Sequence, residues 1–455
     1  NTMSLNIVIL AAGQGKRMFS STPKVLHTIG GKPMLKRVIE TAQQLNPDNI
    51  HIIVGHGSNQ IRLALSEESV NWVTQEEQLG TGHAVLQALP HIDPNALVLI
   101  LSADVPLIQL ETLQNLVKRC ETMHTLGLLL ACVDDPTGLG RIVRNSDGEI
   151  VAIVEEKDAT DNQRKINEIY SGICCAYARD LNRWLPALNS FNAQAEYYLT
   201  DILAMAVADQ LPISSLQVAD VMEIQGVNNR VQLNHLERIW QQRRMMQLML
   251  SGVSLADAAR VDIRGNLHCG KDVFIDVNTI FSGDVHIGDD CNIGPNCCLN
   301  NVTMGSNCTI LPNSVLDDCI LEDNCQVGPF ARLRPGTQLA ANCKIGNFVE
   351  TKNAVFDEGS KASHLSYLGD ATIGKHVNIG AGTITCNYDG AFKHQTIIED
   401  GVFIGSDTQL VAPVTIGKNA TIGAGSTIRK NVPSEELTLT ESKQKTVYGW
   451  TRPKK

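Results

Sequence analysis

From about residue 262 onward, aliphatic residues recur at every sixth position, a spacing that few folds can accommodate. Ile398, Ile404, Leu410, Ile416, Ile422 and Ile428 keep the step without a slip. Earlier series run through Ile287, Ile293 and Leu299, and through Val327, Leu333, Leu339 and Ile345. A hexapeptide repeat predicts a parallel β-helix in which each repeat supplies one short strand, its aliphatic residue pointing into the coil. The Gly or Asn that often follows suits a tight corner. Stacked coils bury an aliphatic column that no single coil could bury alone. The step fails at about 346–372 and 385–397, and such interruptions are expected to be loops on the binding face.

The preceding half has a different rhythm. Leu5–Leu10, Ile50–Val54, Leu97–Leu101 and Leu126–Val133 read as buried strands, with amphipathic stretches such as Met34–Leu45 and Gly82–Leu89 between them. That alternation predicts a mostly parallel, Rossmann-like α/β sheet with ligands bound beyond the carboxyl ends of its strands. Residues 228–250 carry apolar positions at helical spacing without Gly or Pro and read as a linker helix. The expected division is therefore 1–227 for the α/β domain, 228–250 for the linker, and 251–455 for the β-helix and tail.

A chain of 455 residues exceeds one core, since domains run to about 150 residues. The net charge of -10 argues against nucleic-acid binding, which needs a basic face. Thirteen cysteines are scattered without metal-ligand spacing, as expected of reduced thiols in a cytoplasmic protein. No apolar run reaches the roughly 20 residues of a membrane span.

After the first strand stand Gly13-Gln14-Gly15-Lys16-Arg17-Met18 and then Pro23-Lys24-Val25. Glycines let backbone N–H groups approach a phosphate, and Arg17 and Lys24 supply positive charge. A third glycine is missing from the place that the dinucleotide fingerprint requires, which disfavours NAD. Three further segments follow in order: Gln75-Glu76-Glu77-Gln78-Leu79-Gly80-Thr81, Ser102-Ala103-Asp104-Val105-Pro106, and Gly226-Val227-Asn228. Together these resemble the sugar-1-phosphate nucleotidyltransferases. The resemblance implies that Gly13, Gly15, Gln75, Gln78, Gly80, Thr81 and Ser102 bind UTP, with Lys24 and Arg17 catalytic. It also implies that Asp104 and Asn228 hold Mg²⁺, an ion that takes few protein oxygens when it binds phosphates. Gly140, Glu155 and Tyr170 match sugar-binding positions.

The second half contains Arg332-Leu333-Arg334-Pro335-Gly336, Gly346-Asn347-Phe348-Val349-Glu350-Thr351-Lys352, His364-Leu365-Ser366-Tyr367-Leu368-Gly369-Asp370 and the run Asn378 to Gly390. These resemble the acyltransferase part of the bifunctional N-acetylglucosamine-1-phosphate uridylyltransferase / glucosamine-1-phosphate N-acetyltransferase family, so the likeness covers nearly the whole chain. It implies a left-handed β-helix and a homotrimer in the cytoplasm that feeds cell-envelope synthesis. The reaction it implies is acetylation of glucosamine 1-phosphate by acetyl-CoA, followed by coupling of N-acetylglucosamine 1-phosphate to UTP. An amino sugar must lose a proton before it attacks a thioester, and His364 is the matching general base. By the resemblance, Glu350 orients His364 or tunes its basicity, and Asn387 with nearby backbone N–H groups helps hold the amine and oxyanion. Arg334, Lys352, Tyr367, Asn378 and Lys393 match sugar-phosphate positions, and Ala381, Asn387, Tyr388, Ser406 and Ala424 match acetyl-CoA positions. Four residues depart from the family pattern: Lys16, Ala103, Tyr170 and Glu441.

Overall fold

The computed structural model describes residues 4–55 and 58–455. Contacts divide the chain into two compact units, Asn1–Trp240 and Gln241–Lys455. The boundary falls inside the helix Arg230–Leu250, so the segment expected as a separate linker is shared between them. Leu233, Leu236, Ile239 and Trp240 pack with Ile29, Met34, Leu107 and Val227 of the first unit. Gln241, by contrast, bonds both backbone groups of Ile263 in the second, at 2.6 and 2.9 Å.

In the first unit the strands run in the order Ile213–Gln217, Leu126–Cys132, Glu168–Tyr177, Leu97–Ser102, Leu5–Leu10, Asn49–Gly55 and Asn71–Gln75. All pair in parallel except Glu168–Tyr177, which is antiparallel to both neighbours. The continuous apolar runs are explained by burial on both faces: Ile7 and Ile9 enter one core cluster and Val8 the other. Helices Met34–Gln43 and Thr81–Ala88 stand close to their expected places.

The second unit is the left-handed parallel β-helix. Its strands stack in parallel along continuous ladders. Coils advance by 17 or 18 residues, as in the in-register column Ile275, Ile293, Ile310, Val327 and Ile345. Corner residues stack as well. Asn278, Asn296 and Asn313 have φ near +60°, a region that asparagine tolerates better than most residues. Cys291, Cys308, Cys325 and Cys343 recur on successive coils as buried free thiols.

One expectation is overturned. Residues 346–372 form no loop; the ladder runs through them as Lys344–Asn347, Glu350–Phe356, Lys361–His364 and Tyr367–Ile373. Ile345, Ala362 and Ile379 remain in register there. The interruption is one of residue type, with Thr351 and Ala362 taking inward places, so the aliphatic signal fades while the backbone continues. The second break is a real excursion: strands end at Cys386 and resume at Thr396, and Tyr388 bridges Lys393 between them.

Candidate active sites

In the first unit three segments meet beyond strand ends. The backbone N–H of Val227 donates to Asp104 O at 2.9 Å, fixing Asn228 beside the turn that carries Asp104. Lys24 Nζ donates to Asp104 Oδ2 at 2.9 Å and to Asn228 Oδ1 at 3.3 Å, and Ser102 Oγ donates to Asp104 Oδ1 at 2.6 Å. Two oxygens thus face a single cationic nitrogen, so this donor pair fits a magnesium ion that completes its shell with water and phosphate. Gly15 makes the packing of Lys24 possible. Its φ is +62°, and a Cβ there would lie 2.6 Å from Lys24 Cβ.

Gly13, Lys24, Gln75, Gln78, Gly80, Thr81, Ser102 and Asp104 line a cleft of about 310 Å³, joined by Glu196, which no sequence motif pointed to. Gln75 is buried, and its Nε2 donates to Gly80 O at 3.2 Å. Gly80 has φ +111°, and a Cβ would stand 2.7 Å from Tyr197 O. Thr81 Oγ1 accepts from Leu199 N at 2.9 Å, and the next residue, Thr200, donates through Oγ1 to Glu155 Oε1 at 3.1 Å. Glu155 is thereby tied to the segment that walls the cleft. Its carboxyl pKa is raised, chiefly by burial, against the Thr200 hydrogen bond.

Three predicted residues stand elsewhere. Arg17 is exposed on the turn Lys16–Met18 and does not line the cleft; Lys16 is exposed beside it. Tyr170 is 8% exposed and belongs to the apolar cluster of Ile142, Ile153 and Leu130, which corrects its expected contact with sugar. Burial pushes its phenol pKa well up. Gly140, whose carbonyl accepts from Tyr170 N at 2.9 Å, lies beside Glu155 rather than in the cleft wall. Ala103 packs into the core and does not line the cleft.

In the second unit His364 is exposed at a coil corner, and its Nδ1 lies 2.9 Å from Asn347 Oδ1. Glu350, expected to orient His364, instead accepts from Arg334 at 3.2 Å and pairs with Arg332 at 3.9 Å. The register explains this correction: Asn347 stands opposite His364, and Glu350 opposite Tyr367. Asp370, buried and unassigned by sequence, gathers its surroundings. It accepts from Lys352 at 3.2 Å, Asn353 at 3.0 Å and Asn387 at 2.7 Å. Burial opposes its ionisation, but these bonds prevail and hold its carboxyl below the usual range. Asn387 also reaches Tyr367 Oη at 3.3 Å.

In the excursion, Lys393 Nζ lies 5.2 Å from the Tyr388 ring centroid. Asp389 accepts from Phe392 N and from His394, interactions that lower its pKa to about 2. Asn378 is exposed on the coil that precedes the excursion. Ala381, Ser406 and Ala424 stack at one corner: Asp407 N donates to Ala381 O and Gly425 N to Ser406 O. Glu441 is exposed in a tail without helix or strand, with Lys443 and Lys445 close by in sequence.

The fold and both sites define a transferase that joins a nucleotidyltransferase domain to a hexapeptide-repeat domain. Residues 7–188 match the MobA-like NTP transferase domain, and 266–301, 318–353 and 395–430 match the bacterial transferase hexapeptide. The "Bifunctional protein GlmU" of Legionella pneumophila (strain Lens) is 66% identical over 457 residues, covering 100% of this chain and 99% of that protein. The protein of that name from Marinobacter nauticus is 54% identical, with 99% of each chain covered. In Stutzerimonas stutzeri the identity is 52%, with 100% of both covered. The chain belongs to the bifunctional GlmU family.

Proposed function

We propose that the chain catalyses both reactions implied by its motifs: acetyl transfer from acetyl-CoA to glucosamine 1-phosphate, then transfer of UMP from UTP to N-acetylglucosamine 1-phosphate. The convergence of Lys24, Asp104 and Asn228 carries the second reaction. Backbone N–H groups around Gly13 and the Lys24 ammonium hold the triphosphate, while Gln75 and Gln78 present amides to the base. The sugar phosphate attacks the α-phosphorus in line and pyrophosphate leaves. No general base is needed, because the attacking phosphate is already ionised. Bound by Asp104 and Asn228, Mg²⁺ supplies charge neutralisation for the phosphates.

The pairing of His364 with Asn347 carries the first reaction. With Asn347 Oδ1 as acceptor, Nδ1 carries the hydrogen and Nε2 keeps the lone pair that a general base requires. His364 then takes a proton from the sugar ammonium, and the freed amine attacks the thioester carbonyl; the C–S bond breaks as the tetrahedral adduct collapses, the nitrogen gives up its second proton, and the coenzyme leaves as the thiol. Asn387 and nearby backbone N–H groups stabilise the oxyanion. Arg334, Lys352, Tyr367, Asn378 and Lys393 hold the sugar phosphate, and the Ala381–Ser406–Ala424 corner receives the coenzyme. The working state is a cytoplasmic homotrimer. A groove along one coil side, lined by Ile320, Val355 and Ile397, supplies apolar surface for a neighbouring chain to cover.

The test is a pair of assays: acetyl-CoA with glucosamine 1-phosphate, read by thiol release, and UTP with supplied N-acetylglucosamine 1-phosphate and Mg²⁺, read by pyrophosphate release, with each component omitted in turn. Thiol release and pyrophosphate release report the two reactions separately. His364→Ala should abolish thiol release alone, and Asp104→Asn pyrophosphate release alone. Loss of both activities in either variant, or retention of both, would overturn the assignment.

A further inference from the structure

We propose that His268, Asp284 and His286 form a binding site for a divalent transition-metal ion of the zinc class on the first coils of the β-helix. The site lies apart from every residue assigned above. His268 is on the strand Val261–Cys269, while Asp284 and His286 are on its parallel neighbour Thr279–Ile287. The two strands pair over nine consecutive positions, with His268 directly opposite His286. Alternation along a strand puts residues two apart on the same face, so Asp284 and His286 both point outward.

The three side chains converge. His286 Nε2 lies 3.1 Å from Asp284 Oδ2, and His268 Nε2 lies 3.9 Å from Asp284 Oδ1. The imidazole rings stack with centroids 4.5 Å apart and planes 12° from parallel, which presents both Nε2 atoms on the carboxylate's side. One ligand atom from each residue falls within 4.8 Å of the other two. Tetrahedral zinc with ligand bonds of about 2.0–2.2 Å needs donors about 3.3 Å apart, so small side-chain rotations close the set. The backbone is held in place: Asp284 N donates to Asn301 Oδ1 on the next coil at 2.9 Å.

The donor set selects the ion. Two imidazoles and one carboxylate suit zinc, cobalt, nickel or copper, whereas magnesium prefers an all-oxygen shell. Three protein ligands leave outer positions to water. A bound ion would bridge adjacent strands and pin the first coils together.

The test uses the full chain stripped by a chelator, with exposed thiols alkylated so that Cys132 and Cys298 do not compete. Zn²⁺ is titrated against a chromophoric chelator in excess Mg²⁺. The expected result is one Zn²⁺ per chain, bound roughly tenfold or more weakly in each of His268→Asn, Asp284→Asn and His286→Asn, with both transfer activities unchanged. Because these side chains are exposed, the variants should fold; a measurement on the native chain guards against failure. Zn²⁺ should protect His268 and His286, and no other histidine, from carbethoxylation read by mass spectrometry. Equal affinity in the parent and all three variants, or no protection, would show a hydrogen-bonded surface trio only and overturn the proposal.

Discussion

The Asn347 carbonyl oxygen lies 2.9 Å from His364 Nδ1 and favours the tautomer with Nε2 unprotonated, the nitrogen that the proposed general base would use. Asn347→Ala removes that preference and frees the ring to turn. General base catalysis contributes about 10²- to 10⁴-fold, so kcat for thiol release should fall at least about tenfold while KM and pyrophosphate release stay unchanged. This partner was hidden in the sequence because it is set by the coil step of 17 residues, not by the hexapeptide step. The same step carries Glu350 to Tyr367 and away from His364. Tyr170 was unreadable for another reason: a phenol can end in a core or in a cleft, and only packing decides between them. Glu155 gives a prediction in pH. Burial raises its folded-state pKa above the unfolded value of about 4.3, so the unfolded chain loses this proton first. Its contribution to stability therefore falls as pH rises through that window. Glu155→Gln keeps an acceptor for Thr200 and removes the ionisation penalty. Its first-unit urea midpoint should match the parent's near pH 4 and exceed it at pH 7.

The strands and corners of the second unit show where periodicity succeeds and where it fails. Six-residue spacing located the coils wherever an aliphatic residue marked each inward place, and it misread 346–372, where Thr351 and Ala362 take those places around the site. The smaller inward residues change the signal without changing the backbone. Corners carry a second irregularity. Where other coils use asparagine, Phe330, Phe348 and Leu365 adopt φ of 53°, 60° and 45°. A left-handed conformation costs such residues about 1–2 kcal/mol, and strain of this kind gathers at functional sites. Leu365 is 59% exposed, so little packing offsets its cost. Leu365→Asn should therefore raise the urea stability of the second unit by about 1 kcal/mol. A lowered midpoint would mean that the leucine side chain contributes packing which exceeds the strain.

At the scale of the whole molecule, the two units are built on different principles. The first buries both faces of one sheet between two apolar clusters. The second is a stack in which each coil contacts only its neighbours, and its stability approximates a sum of neighbour terms. The contrast between six-residue and α/β patterning was legible from the start. The position of the boundary was not, because an uninterrupted helix carries no mark where its contacts change from Trp240 to Gln241. Separate cores predict separate inactivation. Phe356 is 1% exposed at the end of the strand that begins with Glu350, and truncation of a buried phenylalanine to alanine costs about 3–5 kcal/mol. For a unit of this size that cost lowers the midpoint by roughly 10 °C. After brief heating, Phe356→Ala should lose thiol release at a markedly lower temperature than the parent, while its pyrophosphate-release curve should superimpose on the parent's. If both curves moved together, the chain would melt as one cooperative body, and the two activities would share a single thermal limit.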